Sequence, residues 1–392
     1  MSNAKSFQIV SKPTGSACNI DCKYCFYLEK EKLYPNRNNN WKMPKEVLES
    51  YVRSNIEGSH GDVVEFIWQG GEPTLAGLDF FEEAIRLQHL YAKGKRISNS
   101  FQTNGMKIDK KWARFLKDNN FLVGISIDGS QVHHDKLRQT KSGKSTYSKV
   151  VEAIKLFNEV GVEYNTLTVV SKYNVDEAEN VYNALKAVGS RFMQFTPLVE
   201  RIAAQPDSSG LYLIKPDFIG ESAVAEWSVP SKPYGQFMNK IFDLWAKEDI
   251  GKYFVMNFEQ TMTQLVGGQG SCVFAEECGA NLALEANGDV YSCDHFVYPD
   301  NKLGNIIETG ISELAFSDQQ AAFSKLKTEN ISMDCANCAV RPVCNAGCPK
   351  HRFATSSNGM PNKNYLCDGY KSHFEHVLHR MKYILNKMYN IK

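Results

Sequence analysis

Three thiols fall within eight residues of this chain: Cys18, Cys22 and Cys25, in Thr14-Gly15-Ser16-Ala17-Cys18-Asn19-Ile20-Asp21-Cys22-Lys23-Tyr24-Cys25-Phe26-Tyr27. With no fourth Cys or His close by, they can hold three corners of a cubic iron-sulfur cluster and leave one iron open to an exogenous ligand. Zinc is the alternative, because Cys-x2-Cys pairs commonly begin tetrahedral sites, but structural zinc sites are closed by a fourth protein ligand.

Eight further cysteines follow much later: Cys272, Cys278, Cys293, Cys335, Cys338, Cys344, Cys348 and Cys367. Eight is two sets of four, the ligand count of two closed cubic clusters. Two zinc sites in a ribbon-like module, with nucleic-acid binding as its functional form, are the alternative. The only basic run beside these cysteines is the short Lys350-His351-Arg352, which argues against nucleic acid. Cys344-Asn345-Ala346-Gly347-Cys348-Pro349 has the Cys-x3-Cys-Pro end of two-cluster ferredoxin runs, whose last Cys serves the other cluster.

Asp294 directly follows Cys293, a few residues after Asn287-Gly288-Asp289, which reads as a hairpin turn. Its carboxylate would then follow a strand beside a cluster. There it can take a proton from a hydroxyl or thiol while the cluster collects an electron, the two components of a side-chain oxidation. A solvent-exposed acid is the bland alternative. His295 reads as a packing or hydrogen-bonding residue with no catalytic role.

These residues need elements to position them. Short apolar strands at Phe7 to Val10, Val63 to Trp68, Ser98 to Gln102, Leu122 to Ile127, Glu163 to Val170 and Phe192 to Thr196 alternate with amphipathic helices. The helices fall after Pro44, at Phe80 to Ala92, Lys110 to Asp118, Ser148 to Val160 and Val175 to Val188. Six strands and five helices imply parallel pairing with right-handed crossovers, an α/β pattern that open barrels and doubly wound sheets share.

In such folds the active site collects in the loops after the strands. The loop after the second strand is Gln69-Gly70-Gly71-Glu72-Pro73, whose glycines let backbone approach a ligand and whose Glu72 offers an acceptor. Asn104 follows the third strand, Ser126 ends the fourth and Arg138 lies a little downstream; each alone also reads as an ordinary turn, strand-end or surface residue. The stretch from about Glu200 to Pro233, with Asp207-Ser208-Ser209-Gly210, breaks the pattern as a long connection. Helices at Gln236 to Ala246 and Phe258 to Val266 lead to the second cysteine field, and a packed helix spans Tyr370 to Met388.

The 392 residues exceed one core of ordinary size, so one large domain plus a smaller one is expected. Lys plus Arg (45) balance Asp plus Glu (44), leaving no field to recruit nucleic acid or an anionic membrane. No apolar run approaches the roughly 20 residues of a membrane span, and the polar start Met1-Ser2-Asn3-Ala4-Lys5 lacks a signal-peptide core. A cytoplasmic protein is expected, in which eleven Cys serve metal or redox chemistry rather than disulfides.

The Cys-x3-Cys-x2-Cys spacing, with Tyr24 before the last Cys and Phe26 after it, resembles the signature of the radical S-adenosylmethionine (SAM) superfamily. The later cysteines match the SPASM extension of peptide-modifying members. Together with Gln69 to Gly77, Gln102-Thr103-Asn104-Gly105, Ser126-Ile127-Asp128-Gly129 and the Cys293-Asp294 pair, they resemble the anaerobic sulfatase-maturating enzymes from Cys18 to Cys367.

The resemblance implies a partial (β/α)6 barrel over residues 1–232, a helical connector at 233–270, a SPASM auxiliary-cluster domain at 271–370 and a closing helix at 371–392. It implies three 4Fe-4S clusters, the first on Cys18, Cys22 and Cys25, with SAM chelating its open iron. Tyr24, Gln69, Gly70, Gly71, Glu72, Asn104, Ser126, Arg138 and Val199 would bind SAM. Cys272, Cys278, Cys293 and Cys348 would hold auxiliary cluster I, and Cys335, Cys338, Cys344 and Cys367 auxiliary cluster II.

The implied reaction is oxidation of Ser or Cys, in a Cys/Ser-x-Pro-x-Arg motif of an unfolded or nascent sulfatase polypeptide, to Cα-formylglycine. A 5'-deoxyadenosyl radical removes the β-hydrogen, Asp294 acts as general base and cluster I takes the electron. A low-potential donor of flavodoxin or ferredoxin type would supply reducing electrons. The rival is a SPASM peptide maturase forming thioether or carbon-carbon crosslinks; such enzymes often carry an N-terminal recognition domain, for which 17 residues before Cys18 are too few. A non-enzymatic electron carrier or zinc scaffold would leave the glycine-rich loop without purpose.

Overall fold

Strict alternation of buried and open side chains makes β7 (Glu163–Val170) a strand with one face in the core, and the same period shapes its neighbours. These are β1 (Gln8–Ser11), β3 (Val63–Trp68), β4 (Arg96–Thr103), β5 (Phe121–Ser126) and β8 (Phe192–Pro197), with β2 (Ile20–Cys22) and β6 (Arg138–Thr140) forming a separate ribbon. The computed structural model describes residues 6–34, 41–205, 211, 212, 214, 218, 220–329 and 331–389. Asp207 to Gly210 and Met1 to Lys5 lie outside the described residues.

Strands β1, β3, β4, β5, β7 and β8 pair in parallel, in that order. Helices α1 (Lys45–Gly58), α2 (Leu78–Tyr91), α3 (Lys110–Asp118), α4 (Gln131–Leu137), α5 (Tyr147–Val160) and α6 (Ala178–Ala187) fill the crossovers. Each of the long ones buries one apolar stripe: in α1, Val47, Leu48, Tyr51, Val52 and Ile56 face the sheet. Local signals set the ends. The Asp109 carboxylate accepts from the Trp112 N–H at the start of α3, and Gly161, left-handed at φ 80°, stops α5. This is the partial (β/α)6 barrel expected from the sequence.

The C-terminal module continues the same sheet. The two-residue strand β11 (Phe254–Val255) adds beside β8, and β12 (Asn281–Leu284) pairs in parallel with the free side of β1, Gln8 opposite Asn281 through Ser11 opposite Leu284. Antiparallel β13 (Asp289–Tyr291) and β14 (Lys302–Asn305) complete a 10-stranded sheet. The small strands β9 (Arg201–Ala203) and β10 (Ser222–Val224) pair separately. The remaining helices are α7 (Ser231–Glu248), α8 (Met256–Leu265), α9 (Ile311–Ala315), α10 (Asp318–Lys325), α11 (Met333–Ala336), α12 (Arg341–Cys344) and α13 (Cys367–Tyr389).

Helix α13 starts on a thiol and lies against α7 at a glycine contact. A Cβ on Gly369 would sit 2.0 Å from the Ser231 carbonyl oxygen, and one on Gly235 would sit 2.6 Å from the Gly369 carbonyl oxygen. Gly369→Ala is therefore expected to destabilise the fold by about 1–3 kcal/mol through overpacking. A lower midpoint in thermal unfolding, with weaker retention of whatever Cys367 holds, checks this; an unchanged midpoint would contradict it.

Candidate active site

The first cysteine loop is built by two pairings that no local pattern announces. In the ribbon of β2 and β6, Cys22 lies opposite Arg138. On the other side the loop zips onto the glycine-rich segment: the Gly71 N–H donates to the Gly15 carbonyl (2.7 Å) and the Glu72 N–H to the Ala17 carbonyl (2.9 Å). Only glycine fits at 71, because a Cβ there would meet the Ala17 carbonyl oxygen at 2.0 Å. Cys18, Cys22 and Cys25 are brought together by this framework, close enough to influence one another electrostatically. Burial pushes their thiols up, to about 11, 12 and 11, so a thiolate there needs a cation beside it, as iron provides.

Glu72, expected as an acceptor for SAM, is also held by the protein itself. Fully buried, its carboxylate accepts from the Thr74 N–H (3.0 Å), the Thr74 hydroxyl (2.7 Å), the Thr103 hydroxyl (2.8 Å) and the Asn104 N–H (2.7 Å). These contacts take up most of the acceptor capacity of a carboxylate, so Glu72 braces the loop against the end of β4. Asn104 is likewise tied inward, its side-chain amide donating to Asn19 Oδ1 (2.8 Å) and lying 3.6 Å from Cys18 Sγ.

Arg138 donates from Nε to Asp128 (2.7 Å) and stacks 5.3 Å from the centre of the Tyr24 ring. Tyr24, Leu137 and Leu198 form a small cluster, with Val199 buried next along the chain and Ser126 half-buried at the end of β5. Among the described residues the buried Tyr24 hydroxyl has no hydrogen-bond partner. Buried hydroxyls are seldom left unpaired, and a polar cofactor lying over the cluster loop would satisfy this one.

The later cysteines sort into two groups in space. Cys348 faces Cys272, Cys278 and Cys293 closely enough for their charges to oppose one another. Cys335, Cys338, Cys344 and Cys367 line one small cavity. The backbone between Cys344 and Cys348 explains the split: Asn345, Ala346 and Gly347 are left-handed in succession, at φ 45°, 58° and 62°. That conformation costs roughly 1–2 kcal/mol for a residue such as Ala346 and less for Asn345, and it turns the two thiols towards different groups. Arg352 holds it, donating to the carbonyls of Asn345 (3.2 Å), Ala346 (3.3 Å) and Gly347 (3.3 Å).

Lys327, fully buried, clasps the other ligand loop through the carbonyls of Cys272 (2.7 Å), Val273 (2.9 Å) and Ala275 (2.6 Å). Both groups are thus lined by thiols and backed by cations, Lys327 buried and Arg352 half-buried, a donor set suited to iron-sulfur clusters. Among the described residues no three Cys, His, Asp or Glu converge on one ion's position; a cubic cluster, which engages each thiolate at a different iron, does not require that.

Asp294 begins a short turn after β13, and its side chain is 22 % exposed. Its carboxylate is ion-paired with Lys12. Burial works to raise this carboxyl, but Lys12 and then His295 outweigh it and hold it below the usual carboxylate range. Lys12, which follows β1, also donates to Gln69 Oε1 (2.7 Å) and sits 4.3 Å over the Tyr27 ring. The Tyr27 hydroxyl donates to Glu285, whose carboxyl burial pushes up to about 8 against the opposing pull of Lys12. Beside them the His295 ring lies 3.9 Å from Cys348 Sγ, and Lys350 pairs with Glu200 (2.5 Å). Sequence reading missed Lys12, Tyr27, Glu285, Lys327 and Arg352. The one available signal was a lysine placed between a strand end and Pro13, just ahead of the cysteine loop.

A parallel-strand barrel with a three-thiol loop zipped onto a glycine-rich loop, followed by a module with two four-thiol groups, defines a radical SAM enzyme with auxiliary clusters. Residues 13–185 match the radical SAM superfamily, and residues 272–339 match the SPASM iron-sulfur cluster-binding domain. A serine-type anaerobic sulfatase-maturating enzyme of Bacteroides thetaiotaomicron is 40% identical over 99% of this chain and 93% of its own. A cysteine-type enzyme of Clostridium novyi is 35% identical over 97% of both chains. A solved structure of anSMEcpe with bound AdoMet and Kp18Cys peptide superposes with a TM-score of 0.84 at 32% identity, covering 97% of this chain and 99% of that one. The chain belongs to the anaerobic sulfatase-maturating enzyme family of radical SAM proteins. Its radical SAM domain binds SAM and a 4Fe-4S cluster, and its SPASM domain binds further clusters.

Proposed function

We infer that this protein oxidises a seryl or cysteinyl side chain, in a Cys/Ser-x-Pro-x-Arg segment of an unfolded or nascent sulfatase, to Cα-formylglycine. The observation that carries this reading is the place of Asp294: next to Cys293 in one thiol group, and tied through Lys12 to the glycine-rich loop of the other module. When bound, SAM and the clusters supply a hydrogen-atom acceptor at the substrate Cβ and a sink for the electron left behind. The proton that completes the loss of two hydrogens passes from the substrate hydroxyl or thiol to the Asp294 carboxylate. Ser yields the aldehyde directly; a Cys thioaldehyde exchanges its sulfur for the oxygen of water.

Tyr24, Gln69 to Glu72, Asn104, Ser126, Arg138 and Val199 would form the SAM site, with Glu72 and Asn104 also bracing its loops. Cys272, Cys278, Cys293 and Cys348 would hold cluster I, and Cys335, Cys338, Cys344 and Cys367 cluster II. A flavodoxin- or ferredoxin-type donor and a cytoplasmic setting fit eleven free thiols; among the described residues no helix is long and apolar enough to cross a membrane.

The test is anaerobic incubation of the reconstituted, reduced protein with SAM and peptides containing Ser-x-Pro-x-Arg or Cys-x-Pro-x-Arg, read by mass spectrometry. Loss of two hydrogens from the Ser peptide, or the corresponding aldehyde from the Cys peptide, is expected. SAM cleavage with both peptides unchanged would move the reading to another peptide substrate. The crossed ligand sets have their own test. Cys348→Ala is expected to lose the electron paramagnetic resonance signal that Cys293→Ala loses, and to keep the one that Cys344→Ala loses. The opposite pairing would overturn the assignment.

A further inference from the structure

Lys12 stands where the two modules meet. Its N–H donates to the Leu284 carbonyl of β12 (2.8 Å) on the auxiliary side, while the Gln69 N–H donates to the Ser11 carbonyl (2.9 Å) on the barrel side. Its Cα lies 3.4 Å from where a Cβ on Gly70 would stand, so the lysine backbone is packed against the glycine-rich loop itself. From this fixed point the side chain, 1 % exposed, runs along the Tyr27 ring to the Asp294 carboxylate and the Gln69 side-chain oxygen. Gln69 in turn donates to Gln102 Oε1 (2.7 Å). Asp294, Lys12, Gln69 and Gln102 thus form a polar rail across the ends of β1, β3 and β4. The carboxylate sits on one module and the remaining members on the other.

We propose that Lys12 is a positioning residue that holds the Asp294 carboxylate in register with the glycine-rich loop, so that removal of the substrate proton keeps pace with hydrogen abstraction. This rests on Asp294 being the proton acceptor. A buried ammonium holds its carboxylate more firmly than a neutral contact does, because the charge loses its compensation as soon as the partner swings away. Tyr27 adds to this by walling one side of the ammonium, and its own hydroxyl is anchored on Glu285. Without the ammonium, hydrogen abstraction still begins, but the carboxylate is no longer held where the proton must go.

The test compares wild type with Lys12→Met, Lys12→Arg and Asp294→Asn in the full, reconstituted protein, with the Ser or Cys peptide on which wild type is active. Formylglycine and 5'-deoxyadenosine are measured together, alongside iron content. Lys12→Met is expected to keep its iron and to lower the ratio of formylglycine to 5'-deoxyadenosine at least tenfold. Lys12→Arg, which keeps the charge, is expected to recover most of that ratio. A residue with a merely structural role would lower both products together and leave the ratio unmoved.

A wild-type ratio in Lys12→Met overturns the proposal. If Asp294→Asn also keeps the wild-type ratio, the assignment of Asp294 as proton acceptor fails first; if only Asp294→Asn loses it, Lys12 alone is wrongly assigned. Should Lys12→Met lose iron, Lys12→Gln, neutral but still a hydrogen-bond donor, carries the same comparison. Loss of iron in both would make Lys12 a folding residue and end the proposal.

Discussion

Asp294→Asn is expected to lower formylglycine formation by about 10²–10⁴-fold, the range that a positioned general base contributes, while SAM cleavage continues. Asn has nearly the shape of Asp and can still accept from Lys12 through its amide oxygen, so the ion pair of the native site becomes a weaker contact. What disappears is the ability to take a proton from the substrate hydroxyl or thiol. Because Cys293 and its three partners are untouched, iron content should match wild type, which separates a chemical loss from a lost cluster. Mass spectrometry of the peptide, with 5'-deoxyadenosine measured in the same reaction, makes the comparison. Undiminished aldehyde in the variant would remove Asp294 from the mechanism.

Gly71→Ala should be at least as damaging, for a steric reason. The added Cβ would lie 2.0 Å from the Ala17 carbonyl oxygen, 2.5 Å from the Ala17 carbonyl carbon and 2.6 Å from the Ser16 carbonyl oxygen. All three are backbone atoms of the loop that carries Cys18, so no side chain can turn aside to make room. Relief requires separating the two loops, which breaks the Gly71 to Gly15 and Glu72 to Ala17 hydrogen bonds. A penalty above about 4 kcal/mol, among the exceptional values for one substitution, is expected to fall on this loop pair. The variant should neither bind SAM in equilibrium dialysis nor cleave it. Gly61→Ala, where the nearest atom would be 3.9 Å away, is the matched control. Wild-type SAM binding by Gly71→Ala would show that the loops are not clamped together as described.

The barrel was legible because strand and helix periods are local signals: Val63–Trp68 and Glu163–Val170 end where the apolar alternation ends. Thiol spacing likewise marked the first cysteine loop and the later field of eight. Contacts made across long stretches of sequence were not legible. Cys22 meets Arg138 only because two short strands pair far apart in the chain. Glu72 reads as a free acceptor until Thr103 and Asn104 are folded against it. A buried lysine at position 12 looks like an error of patterning until Asp294 arrives from the far end of the sheet. The left-handed run is only half legible: Asn345 and Gly347 favour that region, but Ala346 does not, and the Arg352 side chain that braces the run comes from outside the loop.

The parallel pairing of β12 with β1 bears on how such a protein can be divided. An edge strand with unpaired N–H and C=O groups is a template for another chain, and proteins cover such edges. Here the cover for β1, the Gln8 to Ser11 ladder, comes from residues 281–284. A barrel produced without them would show that edge to solvent and recruit copies of itself, so aggregation is the outcome to expect from truncation. The released C-terminal portion would lack the template for its own first strand. The two modules are therefore expected to fold as one unit, although their thiol loops lie in separate stretches of sequence.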